Sequence, residues 1–499
     1  MSFNVLSKYE AKKLDKFAIQ SNFISNEKLM DNAGKLSAQF FLEKINNPFN
    51  KKTLVLAGKG NNGGDAIIMY HYMKEYGVEV DLYIFDYAKS KKVMNQYNIA
   101  LEETLLTTEI DIFKSYDWYI DGIFGIGLNK AVLGKYKKII NLIKNKNIIS
   151  LDIPSGIHCD SGKNISDTFV EPKFILSMGN YKYSDIINLG KKNFSRTKIL
   201  DIGLPDTDNF STKLIEYSDI KKIVKQDNLF RNKYDQPCNS IVGSKNYPGA
   251  AVLSIKSALV TGAGYLKTFM PQNISNIISS NDGAVNNYVG KGNYLIESDL
   301  KEILKLGFVK KKSPVLIGPG LGKQKTTSKL IQNLLAYIKL ENSECVLDAS
   351  GFEPLYRSMS IDDLPKKCIM TPHEGELKKI FPNFKKNDII EFCKSIIPIL
   401  DSRVLLIKGP VNIIISSKGD ISFINNGQSS LASAGSGDVL AGMILGFLSR
   451  GYGIDNSAMI ATYVHGFCSQ IFSRKKSKYS MSPSDLIKTI PIALNELSL

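Results

Sequence analysis

The feature that most limits what this chain can fold into is an alternation of short strand-like runs with helix-like segments, which occurs twice along the sequence. In the first half, residues 53–58, 79–85, 118–124, 148–153, 174–179 and 198–203 form β-branched runs that end at glycine or aspartate. Helical patterns lie between them, as at residues 66–76 and 135–144, and a helical segment over residues 8–43 precedes the first run. Strands alternating with helices read as βαβ units, and hence as a parallel sheet covered on both faces. Between residues 204 and 239 the pattern lapses into polar, charged sequence with Pro205 and Pro237, which predicts a connection between domains. A second series follows, with strands at 315–318, 345–349, 368–370, 404–408 and 413–416 and a helix at 326–339. Its last helices, 439–448 and 455–473, come after a glycine-rich loop. The predicted fold class is α/β, in two domains.

Composition narrows the setting. A chain of 499 residues is too long for one ordinary core. The longest apolar stretches, such as residues 439–448, are broken by glycine and fall short of a membrane span. The first residues, MSFNVLSK, lack the apolar region of a secretion signal. The six cysteines are scattered without a CxxC, and His71, His158, His373 and His465 lack metal-ligand spacing. A reducing, cytoplasmic location is expected. The net charge of +16 invites a nucleic-acid reading, but the lysines spread along the whole chain in pairs such as Lys137-Lys138 and Lys221-Lys222. No nucleic-acid motif accompanies them, and positive charge equally suits anionic nucleotides.

Three segments of the first half share one logic. GKGNNGGD (58–65) follows a predicted strand and opens a helix. It satisfies GxGxxG, yet Asp65 would occupy the anion-favouring end of that helix, and Asp86 lies late for a ribose-binding acid. DGIFGIGL (121–128) and DIPSG (152–156) likewise place aspartate and glycine just after strands, where open α/β sheets bind ligands. Singly, each aspartate reads as a turn or cap residue. Together they offer a set of hard oxygen ligands for a cation.

With LMDNAG (29–34), these motifs resemble the NAD(P)H-hydrate epimerase domain, a Rossmann-like three-layer fold, over residues 1–215. The resemblance implies that Asn62, Asp121 and Ser155 help to hold potassium. It implies that Asn61, Asn62, Gly63, Gly64 and Asp65, then Gly125, Ile126, Gly127, Leu128, Asn129, Lys130 and Ala131, and also Asp152, contact the hydrated dinucleotide. Asp152 is the implied catalytic acid–base. Ala66 departs from the family, which usually continues with glycine there.

The sharpest signal is AGSGDVLAG (434–442). Glycines before a helix let backbone N–H groups point at an anion, and Asp438 at the helix start is placed to take a proton from a hydroxyl attacking a phosphoryl group. An Asp cap on a buried helix is the plainer reading, but a cap needs no preceding glycines. GSGD resembles the anion hole of ribokinase-like kinases. YPGAA (247–251), IGPGLG (317–322), TPHEGE (371–376) and LIKGPVN (406–412) narrow the likeness to the ADP- or ATP-dependent NAD(P)H-hydrate dehydratases, ribokinase-like α/β domains, over residues 225–499. The resemblance implies Asp438 as base and Gly435, Ser436 and Gly437 as anion hole. Lys408, Gly409, Pro410, Val411, Asn412 and Gly437 would contact ADP or ATP; Ala250, Gly320, His373 and Asp438 would contact the hydrate. Ser436 in place of threonine, QSS (428–430) in place of a glycine-richer stretch and a weak first strand at 239–243 are departures.

The expected cofactors are potassium, magnesium and an adenine nucleotide. The expected partners are NADH and NADPH hydrates in a homo-oligomer, without nucleic acid or membrane. Two other classes compete: a ribokinase-like kinase for a vitamin precursor, and a non-catalytic N-terminal binding module joined to a working dehydratase. An NAD-dependent oxidoreductase would need a hydride-acceptor site, which the sequence does not offer.

Overall fold

The structure, a computed structural model, describes residues 3–96, 116–187, 196–206, 210–224, 232–235, 237–276, 283–309, 313–385 and 388–498. The chain divides into two compact units, one over Phe3–Phe210 and one containing Ser211–Leu499.

The N-terminal unit contains strands β1 (Phe3–Leu6), β2 (Thr53–Ala57), β3 (Val80–Ile84), β4 (Trp118–Gly122), β5 (Ile148–Leu151), β6 (Phe174–Met178), β7 (Tyr181–Lys182) and β8 (Thr197–Leu200). Six form a parallel sheet in the order β3-β2-β4-β5-β6-β8, while β7 pairs in parallel with β1. Every position of β2, β4 and β5 is buried, as strands covered on both faces require. The strand order reverses between β2 and β4, and the crevice at such a reversal is where α/β sheets bind ligands. The expected helical segment at 8–43 is two helices, Lys8–Gln20 and Asn26–Lys44. They separate at Asn22, whose φ of 55° is left-handed, and each begins on a serine cap, Ser7 or Ser25.

The C-terminal unit contains β9 (Thr212–Leu214), β10 (Pro237–Ile241), β11 (Tyr265–Pro271), β12 (Ala284–Val289), β13 (Val315–Ile317), β14 (Cys345–Leu347), β15 (Cys368–Met370), β16 (Val404–Ile407), β17 (Asn412–Ile415) and β18 (Ile421–Ile424). They run in the order β12-β11-β10-β13-β14-β15-β16-β17-β18-β9, parallel except where β17 opposes both neighbours. Strand order reverses at β10, so its C-terminal end is a second switch point. The stretch expected as a polar connection is partly built into this unit. β9 pairs with β18, and Ile215 and Ile220 are buried in the core.

The helix Ser436–Ser449 is buried along nearly its whole length, against the helix Pro248–Val260 and strands β10, β13 and β14. Two glycines set that approach. A Cβ on Gly442 would fall 2.1 Å from Ser257 Oγ and 2.2 Å from Ser254 O, and one on Gly446 would fall 2.7 Å from Thr261 Cβ. Among the described residues no helix is long and apolar enough to cross a membrane.

Candidate functional site

In the N-terminal unit the glycine loop is the first turn of the helix Asn61–Glu75. A Cβ on Gly58 would lie 1.8 Å from Ile123 O, and one on Gly63 would lie 1.9 Å from Gly58 O, so the ends of β2 and β4 close on each other only with glycine there. Ala66 is fully buried with its methyl against Gly122, so the departure from the family lies at this helix–strand contact.

The three oxygen-bearing residues singled out for a cation come together. Asp121 is fully buried and accepts from Ser155 Oγ at 2.6 Å, Ser150 Oγ at 2.8 Å, Ser155 N at 2.9 Å and Ile123 N at 3.3 Å. Burial pushes its carboxyl above the ordinary range, against these donors. Ser155 Oγ in turn accepts from Phe124 N at 2.9 Å, and Asn62 Nδ2 donates to Phe124 O at 3.0 Å. Asn62 Oδ1 is left buried without a hydrogen-bond partner. A buried carbonyl oxygen in that condition fits a hard monovalent cation.

A cavity of about 1190 Å³ opens over this cluster. Of the predicted hydrate contacts, Asn61, Asn62, Asp65, Asp152 and all seven residues from Gly125 to Ala131 line it. Gly63 and Gly64 do not; Gly64 packs under the Met30 side chain. Asp152 follows β5 with a left-handed φ of 58°. Its Oδ1 lies 2.6 Å from Nζ of the buried Lys182. Asp15 and Lys182 also line the cavity, and sequence reading did not find them. Asp15 sits on an amphipathic helix and Lys182 on a two-residue strand, so neither carries a motif.

In the C-terminal unit Gly435 precedes the buried helix with φ 93°, where a Cβ would meet Leu253 at 2.5 Å. Asp438 stands in the first turn. Burial, aided by Asp348, raises its carboxyl to about 7, while Lys408 opposes the rise. Lys408 Nζ lies 2.5 Å from Asp348 Oδ1, which also accepts from Thr371 Oγ1 at 2.8 Å. A Cβ on Gly437 would be 3.4 Å from that ammonium, so Lys408 reaches the glycine loop. Residues 409–411 form the exposed turn between β16 and β17, held by Asn412 Oδ1 accepting from Gly409 N at 3.3 Å. Gly320, at φ 70°, closes on Ala250: a Cβ there would be 3.0 Å from Ala250 Cβ. His373 caps the helix Glu374–Ile380, its Nδ1 accepting from Gly375 N at 2.9 Å and Glu376 N at 3.3 Å.

Sequence reading passed over Asp348 and His465. Asp348 ends β14 with the same signature, an aspartate just past a strand, that singled out Asp121 and Asp152. His465 is buried mid-helix, its Nε2 3.1 Å from Ser436 O and 3.2 Å from Ser436 Oγ. Burial lowers it to about 4, so it supports the glycine loop as a neutral ring.

The family described as NAD(P)H-hydrate dehydratase matches residues 240–492, and that described as YjeF-related protein N-terminus matches residues 26–184. The bifunctional NAD(P)H-hydrate repair enzyme Nnr of Dictyoglomus turgidum is 31% identical over 492 residues, covering 94% of each chain. The chain belongs to this family of bifunctional repair enzymes. The family's Thermofilum pendens member is 25% identical over 98% of this chain and 95% of its own length. Among solved structures, the ADP/ATP-dependent NAD(P)H-hydrate dehydratase from Bacillus subtilis, co-crystallised with ATP and Mg2+, has 22% identity and a TM-score of 0.49. It covers 58% of this chain and 100% of its own.

Proposed function

We propose that the chain repairs hydrated NADH and NADPH. Its N-terminal unit interconverts the R and S hydrates, and its C-terminal unit dehydrates the S hydrate using ADP or ATP. One observation carries this reading: a single bifunctional relative matches the chain along 94% of its length, across both sites.

In the dehydratase, Asp438 takes the proton of the ring hydroxyl as that oxygen attacks the terminal phosphoryl group of the nucleotide. The loop Gly435–Gly437, whose Ser436 N–H is donated to Ser433 O at 3.2 Å, would turn its N–H groups at Gly435 and Gly437, with the Lys408 ammonium, to the charge on the transferring oxygens. A phosphate ester leaves far more readily than hydroxide. Its departure with the C–O electron pair, together with loss of a proton from the neighbouring ring carbon, restores the conjugated dihydropyridine. Ala250, Gly320 and His373 are assigned to the hydrate, and Lys408 to Asn412 to the nucleotide. Magnesium would arrive on the phosphates, which need few protein ligands, and would neutralise their charge.

In the epimerase, the hydroxyl-bearing carbon is bonded to the ring nitrogen. Asp152 removes the hydroxyl proton, that carbon becomes a carbonyl as its bond to nitrogen opens, and the nitrogen takes up a proton. Closure from the other face, with the protons returned, gives the other epimer. Asn62, with Asp121 and Ser155 behind it, would hold potassium, which would order the surrounding loops and attract the dinucleotide phosphates.

The test is to incubate the protein with mixed hydrate epimers and follow absorbance of the reduced ring. ADP or ATP should convert both epimers to dinucleotide; without nucleotide, only their interconversion should be seen by chromatography. A stable phosphorylated product would instead favour a small-molecule kinase, and interconversion no faster than the spontaneous rate would leave the N-terminal unit a binding module.

A further inference from the structure

We propose that Lys182 is a positioning residue of the epimerase reaction: its buried ammonium fixes the Asp152 carboxylate on the cavity wall and supplies a cation in direct contact with it. The proposal deepens the assignment of Asp152 as the base and rests on it.

Lys182 is 3% exposed, at the end of the two-residue strand that pairs with β1. Its Nζ lies 2.6 Å from Asp152 Oδ1, donates to Met178 O at 2.8 Å and lies 3.4 Å from Ser177 Oγ. The head group therefore cannot swing away without breaking contacts to the end of β6. Asp152 is held from its other sides as well. Its backbone N donates to Leu176 O at 2.7 Å, Met178 N approaches Oδ1 at 3.4 Å, and its φ of 58° is one that side-chain-bearing residues seldom adopt. A left-handed aspartate persists where surrounding structure over-determines it, and such positions cluster at working sites.

The charges nearby explain why a cation is needed. Asp15, from the helix Lys8–Gln20, and Asp65, from the helix Asn61–Glu75, line the same cavity as Asp152. Behind Lys182 stand Asp185, whose Oδ2 accepts from Lys182 N at 2.8 Å, and the buried thiol of Cys159 beside Asp160. Burial, opposed by Lys182 and helped by the charge of Asp152, pushes Asp15 up to about 6, and burial with Asp152 and Asp15, against Lys182, pushes Asp65 well above the carboxylate range. Burial likewise raises Asp185 to about 7. Burial alone would lower Lys182, yet Asp152 and Asp185 hold its ammonium above the ordinary lysine range. Within this group the single ammonium contacts Asp152 directly. The arrangement sets the ammonium against Asp152 while burial favours the neutral form of the acids around it.

The experiment is the pH profile of epimerisation, with no ADP or ATP present, for the full chain and three variants. In Lys182→Met the rate should fall about tenfold or more near pH 7, because each pKa unit added to the base costs a factor of ten below it, and should recover to within about threefold at pH 9. Lys182→Arg keeps the cation and should keep the wild-type profile shape at a lower rate. If Lys182→Met does not fold, Lys182→Gln, which can still donate to the Met178 carbonyl, carries the same test. A loss of equal size at every pH would overturn the proposal, as would a profile displaced as far in Lys182→Arg as in the uncharged variant. Wild-type epimerisation in Asp152→Asn would overturn the assigned base itself, which is a different failure, visible whatever Lys182 does.

Discussion

Both units place an aspartate at the C-terminal edge of an α/β sheet near a buried lysine, and they wire the two differently. In the N-terminal unit the lysine pairs with the proposed base itself, Lys182 with Asp152 at 2.6 Å. In the C-terminal unit it pairs with a second acid, Lys408 with Asp348 at 2.5 Å, and the proposed base Asp438 is left to burial and to the charge of Asp348. The same side chains thus give one base with its own counter-cation and one raised to about 7. The difference suits the reactions. A phosphoryl-transfer base must accept and keep a proton while a second acid holds the lysine toward the phosphates, whereas an epimerase base only borrows its proton.

The harshest way to break the comparison is to remove one base. Asp438→Asn should lower dehydration on the order of a hundredfold or more while leaving epimerisation unchanged, since the amide keeps the side chain's size in the helix's first turn but takes no proton. Near wild-type dehydration in that variant would sink the kinase-like mechanism. A milder separation needs no mutation. Asp438 works as a base only when deprotonated, so dehydration should rise with pH through about 7. Below that it should drop about tenfold per pH unit. The same acidification should affect epimerisation less, because that reaction does not use Asp438. Initial rates of both reactions at pH 6 and 8 check this, and parallel losses would refute the difference in wiring.

Asp348→Asn sharpens it further. Removing that negative charge should move the acid limb of dehydration to lower pH, since Asp348 helps raise Asp438. The rate at pH 8 should fall about tenfold as Lys408 loses the partner that aims it. A limb that stays in place would show that burial alone sets Asp438. Asn62→Ala should remove any dependence of epimerisation on potassium and cost several-fold in rate, comparing potassium with sodium buffers. The smallest effect should come from cutting the chain between Leu204 and Phe210. The two units should then be separately soluble and retain activity within about twofold, because β9, Ile215 and Ile220 stay with the core they belong to. Aggregation of both fragments would mean a large shared apolar face.

How far the sequence revealed this depended on whether a signal was local. All six strands of the N-terminal sheet were legible, because each is a β-branched run closed by glycine or aspartate. The strands β11 and β12 were not, since their Lys, Asn and Tyr residues interrupt the pattern, and the helix Pro483–Leu497 was hidden by its internal Pro491. In the sites, the glycine loops and their aspartates announce themselves. Lys182 does not: it stands thirty positions from Asp152 in the chain, and the pairing of β6 with β5, followed by the turn after Met178, brings them together. Asp348 could have been found by applying to β14 the rule already used for β4 and β5.

The helix Ser436–Ser449 carries one more consequence. It packs against β10, which ends at Ile241, and Gly442 and Gly446 set the close approach to the helix Pro248–Val260. As the chain leaves the ribosome, the N-terminal unit can close on its own once Phe210 has emerged, whereas the C-terminal sheet must wait for its filling. Because Asp438 rides on that late helix, a segment that fills the core is also the one that carries the proposed base. A nascent chain should therefore hold an epimerase before it holds a dehydratase.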